Sequence, residues 1–385
     1  MNLKHHNSSS SNPSSNSVLA VKVVTFDRVK GFTLVELMIS LVLGLLISAA
    51  ALQIFYTSSV NSRRQEASSQ IQDNAIFGFS QMQQHLRRTN YGAKSTGAFN
   101  EFFMNHLTPQ GGVVLTAPSG AGTPVSWLQG NLSGLVLNGA AIPATLLSSN
   151  ASANSTSTSN LEGIANSDQL TIQYRSDREG TFDCEGDAIP QGFYVIERYF
   201  VRTDTTVTPN VLGLACASAI YDYNETAAGS TTGIDIKSYI APAIPAVTTL
   251  PTAPAVPATV KNNNLASTTG TIIIPNVDYF RVMLGISSSR DFATDPENLV
   301  IAYVPIPAAA SLTTVLDTRR IVSLQIGILA RSDNPTATAQ ANSALRFTIL
   351  DKANAELNSV ATSGPTYLRN IYETTILLRN ARGGV

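Results

Sequence analysis

The first feature of the chain is a run of apolar residues that predicts a membrane-spanning helix. Of the 25 residues from Phe32 to Tyr56, only Glu36 is charged. A helix of about 20 apolar residues already spans the hydrocarbon core of a bilayer. A carboxylate within that core costs about 2.5–3.5 kcal/mol, and such groups persist mainly where a partner neutralises them. The pattern therefore predicts a spanning helix in which Glu36 needs a partner.

After Tyr56 the pattern changes to that of an amphipathic helix, and no proline occurs from Phe32 to Thr108. Apolar residues recur at spacings of three and four, and they are Ile71, Ala75, Phe79, Met82 and Leu86. This spacing places them on one face of a helix. We therefore predict one continuous helix from about Phe32 to about Thr89, with a C-terminal cap at Asn90-Tyr91-Gly92.

The second half of this helix is predicted to pack on a folded domain. A free coiled-coil stalk is the alternative, but the apolar stripe lacks sustained heptads with charged flanks. His85 lies next to the stripe without a partner pattern nearby, so it is predicted to be a surface or edge residue. Trp127, further along the chain, is predicted to be a core residue.

Beyond Gly92 the pattern is typical of β-strands. Apolar and polar residues alternate in Leu170–Tyr174, Phe280–Ile286 and Val322–Ile328. Alternation with a period of two, bounded by Ser, Asp, Asn and Gly, predicts half-buried antiparallel strands. Phe193–Val201 is predicted to be a further strand, apolar or aromatic on both faces. The predicted fold class is α+β, with a long N-terminal α-helix, membrane-spanning in its first half, packed on a C-terminal antiparallel β-rich globular domain.

Two low-complexity segments interrupt the β-rich region. Residues 148–160 are almost wholly Ser, Asn, Thr and Ala, and residues 241–260 repeat Ala-Pro, Val-Pro and Thr steps. Such segments lack the apolar side chains that build a core. Both are therefore predicted to be exposed loops, and a partner-binding strip is the alternative for 241–260.

The charge distribution predicts how the chain is oriented across a membrane. Residues 1–31 carry a net charge of +3, which leaves −4 for residues 32–385. Basic residues before an apolar run favour a cytoplasmic N-terminus, so the bulk of the chain is expected outside the cytoplasmic membrane. The chain lacks the strong basic excess of many nucleic-acid-binding proteins, and nucleic acid as a partner stays open.

Cys184 and Cys216 are the only cysteines of the chain. Beyond the cytoplasmic membrane such a pair predicts one disulfide, with two free buried thiols as the alternative. The disulfide would connect the strand at Phe193–Val201 to the loop around Leu214-Ala215-Cys216. A tetrahedral metal site is not predicted, because no histidine lies near either cysteine in the sequence.

No motif predicts an enzyme or a bound cofactor. The chain lacks a Gly-x-Ser-x-Gly elbow, a Walker glycine-lysine loop and a His-Glu-x-x-His pair. Its acidic residues do not have the spacing of an EF-hand, which leaves only an irregular loop site open for calcium. We therefore predict no catalytic residue, no metal ligand and no cofactor.

The hexapeptide Gly31-Phe32-Thr33-Leu34-Val35-Glu36 resembles the processing site of type IV prepilins and type II secretion pseudopilins. The resemblance implies that prepilin peptidase cleaves between Gly31 and Phe32, and that Phe32 is then N-methylated. It also implies that Glu36 pairs with the Phe32 amine of a neighbouring subunit, which fits the cost of an unpaired buried charge. An ordinary signal anchor or a secretory signal ending at Ala49-Ala50-Ala51 leaves Glu36 unexplained.

The C-terminal third resembles one branch of this superfamily, the PilW-type minor pilins. The residues that carry this resemblance are Arg319–Ser332 and Tyr367–Asn380, and Ser167–Tyr174 and Asp183–Gly186, earlier in the chain, also match the family. The resemblance implies a single-pass subunit of the cytoplasmic (inner) membrane with its head in the periplasm. It would help to start or tip a type IV pilus at the cell surface, with other minor pilins and the major pilin as partners. Alternatives are a minor pseudopilin of a type II secretion system and a pilus-tip adhesin or DNA-capturing subunit.

These interpretations divide the chain into four parts. Residues 1–31 are the predicted prepilin leader, and residues 32–57 are the transmembrane and polymerisation helix. Residues 58–91 are the amphipathic second half of the helix. Residues 92–385 are the β-rich periplasmic or extracellular head, which includes the loops at 148–160 and 241–260.

Overall fold

The structure is a computed structural model that describes most of the chain. The described residues are 31–92, 104–118, 130–154, 156–230, 232–243, 246, 255–287, 300–317, 319–336 and 342–382. The predicted leader before Gly31, Trp127 and much of the segment 241–260 lie outside these residues. The chain divides into two units, Met1–Ser58 and Ser59–Val385, and each is described by itself.

The predicted long helix is confirmed as α1, Leu34–Leu86. In the first unit, every residue from Gly31 to Ser58 is exposed. In the second unit, all five residues of the predicted apolar stripe are buried. Gly78 lies on the same buried face, and a Cβ there would clash with the Ile274 side chain. A glycine at this position therefore lets α1 lie directly on the neighbouring strand.

Two four-stranded antiparallel sheets form the framework of the second unit. Their strands are β1 Leu170–Arg175, β2 Tyr194–Asp204, β3 Val211–Tyr221, β4 Thr271–Pro275, β5 Val277–Ser287, β6 Val300–Pro305, β7 Ile321–Arg331 and β8 Arg369–Leu377. Sheet one has the strand order β4-β3-β2-β1, and sheet two has the order β6-β5-β7-β8. All pairings within both sheets are antiparallel, which confirms the antiparallel β-rich head.

Short elements surround the two sheets. The short helices are α2 Glu225–Ala228, α3 Leu312–Leu316 and α4 Ser359–Ser363. The 3-10 turns are Ala144–Leu146, Ala309–Ser311, Asn342–Ala344 and Arg379–Arg382. Two-stranded pairs are Leu135–Val136 with Ile234–Asp235, Thr181–Phe182 with Ala188–Ile189, Ser238–Ala241 with Thr259–Asn262, and Phe347–Ile349 with Lys352–Ala355. Some of these elements pack into the apolar cluster that contains the α1 stripe, as Leu312 and Ala381 do, and others pack into separate clusters, as Leu146 and Phe347 do.

The three strands predicted to be half-buried, β1, β5 and β7, are buried on both faces, so that prediction is wrong. Every residue of β5 is buried, and in β1 only Arg175 is exposed. One face of each sheet contributes to the largest apolar cluster, which also contains the α1 stripe. The other faces pack against separate apolar clusters, built partly from Leu132–Leu146 for sheet one and from Phe347–Leu357 for sheet two.

The Ser/Asn/Thr-rich segment 148–160 is also more buried than predicted. Its described residues include four buried polar ones, which are Ser148, Asn154, Ser157 and Ser159. The Thr158 amide donates to the Val201 carbonyl at 3.0 Å, and the Asn160 amide donates to the Asp278 carbonyl at 2.9 Å. The segment therefore connects β2 to β5, and the prediction of an exposed loop is wrong. Short polar side chains permit this path because they hydrogen-bond the local backbone.

Candidate functional site

The predicted processing site lies immediately before α1. Gly31 and Phe32 precede the helix, and the Phe32 side chain is 78% exposed. Thr33 caps the helix, because its Oγ1 accepts a hydrogen bond from the Glu36 amide at 3.2 Å. The sequence Thr33-Leu34-Val35-Glu36 has the S/T-x-x-E pattern of a helix N-terminus. This pattern locates the start of the helix more sharply than the apolar run does.

Glu36 lies on a helix surface that is otherwise almost wholly apolar. The large apolar side chains from Phe32 to Tyr56 are between 53% exposed, at Leu43, and 78% exposed, at Phe32. Among the described residues, this stretch belongs to a helix long and apolar enough to cross a membrane. No basic side chain of the described part forms an ion pair with Glu36. Such a surface needs a bilayer or apolar partners around it.

The last turns of α1 carry a buried ion pair to sheet one. His85 is only 7% exposed, and its Nδ1 lies 2.8 Å from Oε1 of Glu197 in β2. The prediction that His85 is a surface or edge residue is therefore wrong. The two residues are 112 positions apart in the chain, so no local spacing indicates that they meet.

The Glu197 carboxylate is fully buried and accepts hydrogen bonds from four groups. Besides His85, these are the Tyr174 hydroxyl at 2.8 Å, the Tyr199 hydroxyl at 2.7 Å and the Cys184 amide at 3.0 Å. Burial by itself raises the pKa of Glu197, but the charge of His85 and these hydrogen bonds hold it below the usual value. Burial lowers the pKa of His85, yet the charge of Glu197 and the hydrogen bond to it together outweigh this effect, so the pKa is raised.

The structure joins Cys184 and Cys216 by a disulfide, with their Cα atoms 6.1 Å apart. Cys216 lies inside β3 rather than in a loop, so the predicted loop attachment is wrong. Cys184 follows the short strand Thr181–Phe182 and precedes β2. The disulfide therefore fixes the segment before β2 to the middle of β3. No cluster of three or more His, Cys, Asp or Glu suited to a metal ion occurs in the described ranges.

We expect the double variant Cys184→Ser/Cys216→Ser to lose about 3–4 kcal/mol of unfolding free energy. The disulfide spans a sequence separation of 32, and closing a loop of this length restricts the unfolded chain by about that amount. Denaturant unfolding of the full chain in detergent, followed by circular dichroism, measures the loss. Reductant should destabilise the wild type and leave the double variant unchanged. Equal unfolding midpoints of the two proteins without reductant would contradict a stabilising disulfide.

A second buried ion pair connects the start of β1 to sheet two. Both carboxylate oxygens of Asp168 lie 3.1 Å from Nη1 of Arg281 in β5. Asp168 also accepts hydrogen bonds from the amides of Val282 and Ala151, each at 2.8 Å. Arg281 in turn donates to both oxygens of Asp351, at 2.7 and 2.6 Å. Burial raises the pKa of Asp168 to about 6, against the opposing effect of the Arg281 charge.

The two C-terminal segments singled out by the sequence form adjacent strands around a third buried pair. Arg319–Ser332 contains β7 and Tyr367–Asn380 contains β8, and the two strands pair along their length. Nε of Arg369 donates to Oδ2 of Asp278 at 2.7 Å. The Arg331 guanidinium lies over the Tyr367 ring, 4.4 Å from its centre. These two segments therefore supply β7 and β8, the two strands at one side of sheet two, and the Arg369–Asp278 pair connects β8 to β5.

Comparison with known families gives two matches. The family model described as Type IV Pilus-assembly protein W, PilW, matches residues 247–380. The model described as the prokaryotic N-terminal methylation motif matches residues 27–52. The first range contains β4 and all of sheet two, and the second contains the predicted cleavage site and Glu36. The chain therefore resembles the PilW-type minor pilins in both its N-terminal motif and its C-terminal sheet.

Other comparisons add little to this assignment. No curated protein matches the chain. Among solved structures, the chain is similar to "Type IV-like pilin TTHA1219 from Thermus thermophilus". The similarity has 13% sequence identity and a TM-score of 0.23, and covers 57% of this chain and 83% of that chain. A likeness this distant carries no argument about function.

The family matches support the predicted role of the chain as a minor pilin in type IV pilus assembly. Of the segments that carried the resemblance, Arg319–Ser332 and Tyr367–Asn380 lie inside the PilW match. Ser167–Tyr174 and Asp183–Gly186 lie outside it. Each of these two segments nevertheless makes a buried contact, because Asp168 pairs with Arg281 and the Cys184 amide donates to Glu197.

The sequence interpretation missed these buried ion pairs. The signal available for them was a charged residue within an apolar strand pattern, as at Glu197 in Phe193–Val201 and at Arg281 in Phe280–Ile286. Charged side chains are rarely fully buried unless they are paired. Each of these two residues therefore indicated that a partner existed, without indicating which residue it was.

Proposed function

We propose that this minor pilin belongs to the complex that starts or tips a type IV pilus. The observation that carries the proposal is the occurrence, in one chain, of the methylation motif at residues 27–52 and the PilW match at residues 247–380. A large β-rich head supports such a position. A bulky head is harder to repeat along a closely packed fibre than a small one, so a start or tip position suits it better than the shaft.

Prepilin peptidase cleaves this chain between Gly31 and Phe32, and the new Phe32 amine is N-methylated. The exposure of Phe32 ahead of α1 supports this assignment, because a peptidase needs an accessible peptide bond. In the assembled fibre, the Glu36 carboxylate pairs with the Phe32 amine of a neighbouring subunit. This pairing is supported by the apolar surroundings of Glu36, where an unpaired carboxylate is costly.

The role of the protein is structural rather than catalytic. Its methylation motif and apolar helix fit a membrane-anchored pilin. The head faces the periplasm and later the cell surface, in keeping with the basic residues that precede the apolar run. Its partners are prepilin peptidase, the other minor pilins, the major pilin and the cytoplasmic membrane.

Mass spectrometry of the N-terminus in membranes and in sheared surface fibres tests the proposal. We expect a peptide that starts at N-methylated Phe32, with only a trace of it in the fibres. Gly31→Leu should block cleavage. Gly44→Leu is the matched control and should leave cleavage intact, because it lies away from the cleaved bond. A Cβ has open space at both positions, so neither substitution causes a clash within the chain. A mature start after Ala51, or no processing at all, would overturn the proposal.

The same samples separate the rival functions. Correct processing without any fibre signal would favour a minor pseudopilin of a type II secretion system. High stoichiometry along the pilus shaft would contradict a tip or initiation role. A tip adhesin or DNA-capturing subunit is compatible with the tip position, and would be indicated by fibres that lose adhesion or DNA binding when this protein alone is deleted.

A further inference from the structure

We propose that Glu197 couples the Cys184–Cys216 disulfide to the docking of the last turns of α1 on the head, with His85 as the proton-dependent contact. This inference concerns the second unit alone and does not depend on the proposed place in the pilus. It assigns a role to a buried carboxylate that neither the methylation motif nor the PilW match includes.

The geometry brings separate elements of the second unit to one carboxylate. His85 reaches Glu197 from α1, Tyr174 reaches it from β1, and Tyr199 comes from β2 itself. The fourth donor is the amide of Cys184, whose side chain is fixed to β3 by the disulfide. Removing one donor leaves part of a buried charge without a partner, which weakens the contacts of the others.

The groups around His85 determine how its charge responds to pH. Glu197 and Asp183 raise the pKa of His85, whereas burial and Arg88, one turn further along the chain, lower it. The two tyrosines stay neutral at physiological pH, because burial raises the pKa of each well above its usual value. Glu197 also accepts a hydrogen bond from His85, so it raises the pKa of His85 more than Asp183 does.

The sign of the pH dependence follows from the raised pKa of His85. The His85–Glu197 ion pair contributes its full stabilisation below the usual histidine pKa of about 6.5. The contribution is lost as the pH rises through the higher pKa of His85 in the folded protein. Docking of the last turns of α1 is therefore expected to weaken from neutral to alkaline pH.

Titration of the histidine ring signals by NMR tests the acid–base half of the proposal. The sample is the full chain in detergent with 13C-labelled histidines, and His85→Gln identifies the His85 signal. We expect a His85 midpoint above the usual value, which Glu197→Gln lowers by about one pH unit or more. His106 is an internal control, because its pKa is lowered by burial and no charged partner contributes to the shift. An unchanged His85 midpoint in Glu197→Gln would overturn the proposal.

Hydrogen exchange of α1 tests the coupling to the disulfide. Removing the disulfide with Cys184→Ser/Cys216→Ser should lower the protection factors of Ser80–Leu86 several-fold in the wild-type background. In the Glu197→Gln background the same change should have a much smaller effect, since the carboxylate that transmits it is absent. His85→Gln provides a second background in case Glu197→Gln impairs folding. Equal losses of protection in all backgrounds would show that the disulfide acts independently of Glu197 and would overturn the coupling.

Discussion

Glu36→Gln is expected to remove the minor pilin from assembled fibres without preventing its cleavage. An amide cannot neutralise the Phe32 amine of a neighbouring subunit, so that amine would enter the apolar fibre interior as an unpaired charge. A penalty of about 3 kcal/mol lowers incorporation roughly hundredfold. Cleavage should persist, because Gly31 and Phe32 are unchanged. Immunoblots of sheared fibres and of membranes, each normalised to total protein, measure the distribution.

Glu66→Gln is the matched control for this experiment. Glu66 lies on the same helix and is exposed, but it is outside the apolar run. The same loss of one negative charge should therefore leave fibre incorporation unchanged. If Glu36→Gln entered fibres as efficiently as the wild type, the proposed pairing with Phe32 would be contradicted. A loss from the membranes as well as the fibres would instead mean that Glu36 acts during insertion or folding.

The sequence predicts α1 well because its signals are local. The apolar run and the stripe that includes Ile71 and Leu86 depend on spacings of three and four residues, and both appear in the structure. Strands β1, β5 and β7 were located for a similar reason, since alternation is also a local pattern, whereas the middle of β3 was predicted to be a loop. Burial of their second faces was not predicted, because the segments that cover them are remote in the chain. Leu146, for example, accepts a hydrogen bond from Thr171 of β1 across 25 positions.

In the candidate site, too, the residues that belong to a local motif could be predicted and those with distant partners could not. Gly31, Phe32 and Glu36 could be located from a short motif, and two cysteines permit only one intramolecular pairing. His85 and Asp168 could not be assigned, because their partners are 112 and 113 residues away. A single sequence contains no information that joins such distant positions. What it does contain is the unusual presence of a charge in an apolar strand, which predicts pairing but not the partner.

Asp168→Ala is expected to destabilise the head by about 3–5 kcal/mol. The substitution leaves Arg281 without its buried carboxylate, and breaking one partner of a buried pair costs about that much. The Val282 and Ala151 amides also lose their acceptor. Because Asp168 connects β1 to β5, the loss should appear as a lower midpoint for the whole β-rich head. Denaturant unfolding of the full chain in detergent, followed by circular dichroism, measures it.

Two further variants separate the causes of this loss. Asp351→Ala removes the other, more exposed partner of Arg281 and should cost only about 1 kcal/mol, since solvent screens that pair. Asp168→Asn retains an acceptor for the amides but removes the charge, so it should fall between the two alanine variants. If Asp351→Ala cost as much as Asp168→Ala, the exposed carboxylate would be the main partner of Arg281. The Ser167–Tyr174 segment would then need another explanation for its place between the two sheets.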